Sequence, residues 1–556
     1  MANTLAAHPT LTCTALHDDT YMMDHPLPLL TAMNTYKAEL AKLGETLQLH
    51  KCKLLLGPQV PAADMPAIMA QATALGVQIV DGFTAGGIPV GTVAHVEKEL
   101  TTIFTEADDT MGLLRRAIAS ISQAPSATSI QGIYKILRWC MAPAKVNHLL
   151  RGLPANALKH HIAKYDQGIF QLLTQLLNLP PSPALDTNTL AGTLLLDKCH
   201  LPAKLGGLGL GSAVKTADAA RRGNLALTAS IVATALSQGG QFDAERDGET
   251  ALPELYTLFD PAVIAPLGIQ SMPGSPPSSY FQHQSRKISR LFNIQDNALL
   301  QKRILARMTS DPQGMASFLS SGGEGATYLL TTHAAGKTLT SPEFIALART
   351  RLGLPATNTT PNSPKCMHCG LDADSRGLHI LECRRGKPQT CSKECCEDNM
   401  GEFKAGGRHG AVRTVLLKTM TSILHRERPG TATVMQHEPY VTQHLTWAPK
   451  APPGQLAHSV ALKRRADIGY TLHEPDKPPI IKGVDLVITH ANPRRSSGPE
   501  AANFPGTAAL KVHELKVKSY DKDFVVPVGR LIPFAVETGG RLSTKSRLFL
   551  ATFVRK

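Results

Sequence analysis

The sequence predicts a multidomain α+β protein, and three observations predict it. The 556 residues suffice for roughly three or four domains of about 150 residues each, every one large enough to bury a core. A hydrophobic content of 43% with 18% charged residues is globular and excludes wholesale disorder. Apolar residues at helical spacing dominate the middle of the chain, whereas both ends mix short strand-like runs with helices. No run approaches the roughly 18 apolar residues of a membrane span. Met1 to Leu16 lacks the charged and apolar regions of a signal peptide. The expectation is a soluble intracellular protein that does not enter a membrane.

The elements follow in order. Leu11 to Leu16 and Tyr21 to Met23 flank the polar turn His17-Asp18-Asp19-Thr20 and read as a β-hairpin. Leu29, Met33, Leu40 and Leu43 repeat at helical spacing up to Gly44, which predicts a helix ended by that glycine. Leu47 to Leu56 reads as a strand. Helical spacing then prevails from 100 to 235, through Ile103, Leu113, Leu114 and Ile118 and later Leu172, Leu173, Leu176 and Leu177. The Pro/Ser/Gly-rich stretch Met272 to Ser279 predicts a linker, and a second helical block covers about 285 to 352. Pro355 to Pro364 leads into a cysteine-rich stretch. The last segment opens with a helix, His409 to His425. It continues with strand-like runs at Asp467 to Thr471 and Val484 to Thr489 and a helical stretch near Ala508 to Tyr520, an α/β pattern.

Charge and cysteines are both concentrated late in the chain. The formal net charge is +14, from 58 Lys+Arg against 44 Asp+Glu, and residues 401 to 556 alone hold 24 Lys+Arg against 12 Asp+Glu. A basic domain of this kind raises the local concentration of polyanions, and nucleic acid is the usual partner. Six of the ten cysteines lie between Cys366 and Cys396. The remaining four, Cys13, Cys52, Cys140 and Cys199, read as reduced core residues. Without a secretory signal, clustered cysteines favour metal over disulfides. Cys366, Cys369, His379 and Cys383 form two close pairs of soft or borderline ligands, a set that closes a tetrahedral structural Zn²⁺ site. His368, Cys391, Cys395 and Cys396 are competing ligands, and the last three leave a second metal open.

Two groups of carboxylates carry candidate chemistry. Asp18 and Asp19 lie together in the hairpin turn, where neighbouring carboxylates can hold Mg²⁺ for two-metal phosphoryl chemistry. In the last segment, Asp467 is expected to start one strand and Asp485 another. Paired strands would bring both to one sheet edge, where with Glu438 they could hold catalytic Mg²⁺. A nearby lysine would stabilise the pentavalent phosphate or orient the attacking water.

The ordered set of motifs resembles non-LTR retrotransposon reverse-transcriptase polyproteins. Ala15-Leu16-His17-Asp18-Asp19, then Leu47 to Leu55, then Ile88-Pro89-Val90-Gly91 resemble successive palm elements, with Leu16 where the family prefers an aromatic. Tyr134 to Trp139, Arg151-Gly152-Leu153-Pro154 and Leu201 to Leu210 resemble the thumb and the region after it. Read from composition, Gly206, Gly207 and Gly209 mark only a tight turn, with no lysine placed as in a phosphate-binding loop. The Cys/His quartet, flanked by Arg351 to Pro355 and Leu378 to Cys383, resembles the family's zinc knuckle. Arg408-His409, Glu438-Pro439, Arg464-Arg465-Ala466-Asp467, Val484-Asp485 and Lys516 to Tyr520 resemble its restriction-like endonuclease, with Ala466 where the family has Pro.

The resemblance implies a domain order of truncated palm over 1–100, helical thumb and post-thumb over 101–235, helical linker domain over 236–357, zinc knuckle over 358–400 and endonuclease over 401–556. It implies that Asp18 and Asp19 bind metal in the hairpin and that Lys51 lies near the incoming nucleotide. It also implies that Asp467 and Asp485 bind Mg²⁺, that Lys516 is catalytic with Lys518 as its alternative, and that Tyr520 supports it. Arg408, His409, Arg464, Arg465 and Lys518 would contact nucleic acid. With the hairpin at residue 18, the fingers, the first palm strands and the family's first catalytic Asp are expected to be missing, so the chain is not expected to polymerise by itself. The implied partners are a DNA target and the element's RNA, in the nucleus, with no membrane. The implied activity is Mg²⁺-dependent DNA nicking that primes reverse transcription. The rival expectation is a non-catalytic nucleic-acid-binding remnant.

Overall fold

The computed structural model describes residues 2–16, 19–123, 130–179, 189–237, 288–323, 339, 341–355, 412, 415–422, 435–437, 445, 447–452, 455, 466–472, 478–489, 504–527, 530–537 and 540–555. The labelled helices in chain order are α1 (Ala2–Ala7), α2 (Pro26–Lys42), α3 (Met65–Leu75), α4 (Val93–Gln123), α5 (Ile130–Ile136), α6 (Ala142–Gly152), α7 (Ala155–Leu176), α8 (Leu190–His200), α9 (Ala213–Ser237), α10 (Ile288–Arg307), α11 (Pro312–Ser320), α12 (Ser341–Leu352), α13 (Thr507–Asp523) and α14 (Thr544–Arg555). The strands are β1 (Thr12–Leu16), β2 (Asp19–Met23), β3 (Lys53–Leu55), β4 (Gln78–Val80), β5 (Gly82–Ala85), β6 (Ile88–Gly91), β7 (Met435–His437), β8 (Ala448–Pro449), β9 (Ile468–Leu472), β10 (Ile480–Thr489), β11 (Phe524–Val525) and β12 (Leu531–Glu537). The described residues are a mixed α+β protein, mostly helical, with small separate sheets. They divide into two units. The first comprises Met1–Ser120, Ile136–Leu173 and Gly211–Ala298; the second comprises Ile121–Lys135, Thr174–Leu210 and Leu299–Lys556.

In the first unit the expected hairpin is present, with Thr12 opposite Met23 and Leu16 opposite Asp19. The second strand therefore starts at Asp19 rather than Tyr21. Helix α2 opens on Pro26, where a missing N–H costs nothing, and the chain leaves it through Gly44 at φ +79°. The strand expected from Leu47 to Leu56 shrinks to β3, preceded by a 3₁₀ turn at Leu49–Lys51. Its partner β4 is equally short, and only Leu54 of β3 is fully buried. Leu30, Leu54, Ile68 and Val77 share one core. Strands β5 and β6 turn through Gly86 and Gly87, both at positive φ, as a two-residue hairpin matched to strand twist requires. Tyr21 stacks on Phe83 at 6.4 Å.

The helical reading of the middle region holds. In α4 the residues Leu100, Phe104, Ala107, Met111 and Ile118 recur at helical spacing and are all buried. Phe104 stacks on His161 at 5.2 Å, and His161 Nε2 lies 2.9 Å from Glu97 Oε1. Asp166 and Ser212 together start α9. Ala213 N–H and Val214 N–H donate to the Asp166 carboxylate at 2.8 and 3.1 Å, and Lys215 N–H donates to Ser212 Oγ. Three otherwise orphaned helix donors are thereby satisfied. None of the four described cysteines is in a disulfide, and of them Cys199 alone is a core thiol. Cys140 is exposed, against expectation, because it falls on the outer side of the π-helical turn Leu137–Met141, whose buried residues are Leu137 and Met141.

In the second unit the glycine-rich segment is a structural turn, as its composition predicts. Gly206 and Gly209 have positive φ, and a Cβ on Gly207 would lie 2.0 Å from Leu201 O. The segment's carbonyls are taken from several directions: Tyr134 Oη donates to Leu208 O, Arg351 Nε to Gly207 O at 2.8 Å, and Gln301 Nε2 to Leu205 O at 3.0 Å. The expected linker at 272–279 and the Cys/His quartet lie outside the described residues.

The C-terminal part of this unit holds the largest sheet, a four-stranded one ordered β12-β10-β9-β7. Strand β10 is central: antiparallel to β9 and parallel to β12, which it reaches through α13. Helix α13 spans the stretch in which a helix is expected and buries Ala508, Ala509, His513 and Tyr520. Pro533 sits in β12, the outermost strand of this sheet among the described residues, where a missing ladder donor is tolerated. Residues 415–422 are helical, and Leu416 and Met420 pack with Tyr470, Val484 and Phe534.

Candidate active site

Strand register alone brings two of the expected carboxylates together. In the antiparallel β9–β10 pair, Ile468 faces Val484, so one further step sets Asp467 opposite Asp485. Directly opposed residues of an antiparallel pair project from the same face. The ladder ends there in a side-chain substitution. Asp467 N–H donates to Val484 O at 3.1 Å, and the Asp467 carboxylate accepts Leu486 N–H at 2.7 Å. Asp485 lies inside β10 rather than at its start, because the strand begins at Ile480.

Helix α13 supplies the third group. Lys516 Nζ lies 2.9 Å from Asp485 Oδ2, with the lysine side chain 32% exposed and that of Asp485 7% exposed. Of the two candidate lysines, Lys516 makes the contact with Asp485, whereas Lys518 is exposed. Burial and the Asp467 side chain push the Asp485 carboxyl up to about 6, against the opposing pull of Lys516. The groups thus form a chain: Lys516 ammonium, Asp485, Asp467.

Two side chains fix α13 over the sheet. His513, one turn before Lys516, donates from Nδ1 to Pro533 O at 2.9 Å, and Pro533 is the β12 residue paired with Asp485. Burial holds the His513 imidazole below its ordinary value, so it stays neutral in this contact. Tyr520, one turn after Lys516, is fully buried, edge-on to Trp447 at 6.0 Å and tilted on Phe524 at 6.1 Å. Gly483 makes room for this aromatic group, since a Cβ there would lie 2.7 Å from Leu445 and 3.3 Å from Trp447. Sequence reasoning selects Tyr520 and misses His513. Helical spacing puts 513, 516 and 520 on one face, but the contact that gives His513 its role is made to Pro533, distant in sequence.

Glu537 is no part of this site. It pairs with Thr489, four residues along β10 from Asp485, roughly 13 Å away at strand rise. Its carboxylate instead accepts Ala509 N–H at 3.3 Å, at the start of α13, and burial raises it above the usual carboxylate range.

The other expected site residues are not brought to this cluster by any described contact. Asp18, Glu438, Arg408, His409, Arg464, Arg465, Cys366, Cys369, His379 and Cys383 lie outside the described residues. Asp19 opens β2, and Lys51 is exposed at the end of its 3₁₀ turn. Among the described residues no third His, Cys, Asp or Glu joins Asp467 and Asp485 in a group able to hold a metal. The donor set present is two carboxylates in contact. It suits a hard divalent ion such as Mg²⁺, which takes one or two protein carboxylates and keeps several waters. No described helix is long and apolar enough to cross a membrane. No protein-family model matches the chain, and no curated protein matches it.

Proposed function

We propose that the C-terminal segment is a Mg²⁺-dependent endonuclease that nicks DNA, within a polyprotein of the non-LTR retrotransposon type. The observation that carries this reading is the meeting of Asp467, Asp485 and Lys516 on one sheet face, three residues from separate elements. Asp467 and Asp485 present oxygen donors to the ion. When bound, the ion supplies Lewis-acid stabilisation of the phosphate charge and lowers the pKa of the attacking water. Lys516 would set its ammonium against the extra negative charge of the pentavalent phosphate. Water attacks phosphorus, the P–O3′ bond breaks, and the leaving oxygen takes a proton to become the 3′-OH primer. His513 and Tyr520 keep α13, and so Lys516, over the sheet. Exposed Lys518, Lys522, Lys545 and Arg547 add to the net +12 of the segment and favour contact with DNA phosphates.

On the same resemblance, the Cys366, Cys369, His379 and Cys383 quartet holds structural Zn²⁺, the helical thumb region is framework with template RNA contacts, and the protein acts in the nucleus. The rival reading is a nucleic-acid-binding protein without catalysis. It draws on the basic charge and on Lys516 already neutralising Asp485. Incubating the full chain with supercoiled plasmid and Mg²⁺, then extending the product with a DNA polymerase, separates the two. Metal-dependent relaxed circles with extendable 3′-OH ends support the nuclease. Plasmid retardation by folded protein without any nick supports the rival.

A further inference from the structure

The geometry points to a second role for Lys516: its ammonium holds the cation position at the Asp467–Asp485 pair until a divalent ion displaces it. This rests on the nuclease reading and goes beyond it, because a lysine acting only on the phosphate has no need to touch a ligand carboxylate.

Three observations carry the inference. Asp485 is buried, and the Lys516 ammonium lies in contact with its Oδ2 at 2.9 Å. A divalent ion on the same carboxylate would compete with the ammonium for its oxygen lone pairs and repel it across the contact. Second, strand register sets Asp467 opposite Asp485 on one face, and two facing carboxylates favour a cation between them. Third, Lys516 is free to leave without disturbing the fold. Its side chain is a third exposed on a flexible stem, whereas α13 itself is anchored through His513 and Tyr520. Displacement leaves the charge balance favourable. The ionised pair carries −2, the ammonium reduces it to −1, and a divalent ion cancels it. The freed ammonium remains tethered within one side-chain length, where an incoming phosphodiester would hold it.

The test is direct binding of Mn²⁺, read from the loss of the free-ion electron paramagnetic resonance signal at about pH 8. It uses the full-length, zinc-loaded chain as wild type, Lys516→Met, Lys516→Gln and the double variant Asp467→Asn with Asp485→Asn. Buried-tryptophan fluorescence checks that each is folded. Removing a unit positive charge from contact with the carboxylate should tighten Mn²⁺ binding about tenfold or more in both Lys516 variants, and the double carboxylate variant should lose the site. Unchanged or weaker binding in the Lys516 variants, with wild-type binding intact, overturns the placeholder role and leaves the nuclease reading standing. Binding that is absent from wild type and Lys516 variants alike, or indifferent to the double variant, overturns both.

Discussion

Replacing Asp485 by Asn should stabilise the folded chain at neutral to alkaline pH while abolishing any metal-dependent cleavage. The Asp485 carboxyl titrates at about 6 in the folded protein against an ordinary value of 3.8. Ionising the group therefore costs the folded state on the order of 1–3 kcal/mol. The sign follows from proton binding. A raised carboxyl binds its proton more tightly in the folded than in the unfolded chain. Its contribution is therefore most favourable below about pH 4 and is lost as pH rises through about 6. Asparagine keeps the shape and never ionises. The variant should gain about 1–3 kcal/mol over wild type at about pH 8 and differ little at about pH 4. Tryptophan fluorescence reads this locally. The chain has two tryptophans, Trp447 at 3% exposure beside Tyr520 and Trp139 at 60%, so a Trp139→Phe background isolates the former. Denaturant unfolding at the two pH values gives the difference. A variant that loses stability at about pH 8 would refute the reasoning, since Asp485–Lys516 would then be a net stabilising ion pair of structural purpose.

Other outcomes follow from the same contacts. Tyr520→Ala removes a fully buried ring from the Trp447–Phe524 group and should cost about 3–5 kcal/mol, visible as a lower denaturant midpoint. His513→Ala should leave the fold intact, yet slow nicking tenfold to about a hundredfold through misplacement of Lys516. Gly207→Ala, which puts a Cβ against Leu201 O, should prevent soluble expression or lower the melting temperature sharply. Metal analysis should find about one zinc per chain, lost in Cys366→Ser, and a zinc-free wild type would refute the knuckle.

The parts legible in the sequence are those set by local pattern. Gly44 ends α2 because a left-handed residue is required there, and helical spacing predicts α4, although of the positions it marks Ile118 is buried and Leu113 is exposed. The Asp467–Asp485 pairing was legible as well, because two short β-prone runs each carry one acid near an end. Illegible features depend on partners distant in sequence. The Leu47–Leu56 run has strand composition, but only three residues find a partner strand. Cys140 sits among apolar neighbours, but the π-helical turn sets its exposure. The role of His513 depends on the carbonyl of Pro533, twenty residues on, and no local signal announces that contact. Which of Lys516 and Lys518 reaches Asp485 depends on the rotation of α13 about its axis, which the sequence leaves open by a residue or two.

The most direct measurement is the initial rate of plasmid nicking in Mg²⁺, compared between wild type and the double variant Asp467→Ala with Asp485→Ala at matched folding. The account predicts nicking by wild type, and a fall of at least about a thousandfold in the double variant, the scale on which catalytic metal ligands act. Equal nicking by the two proteins would contradict it.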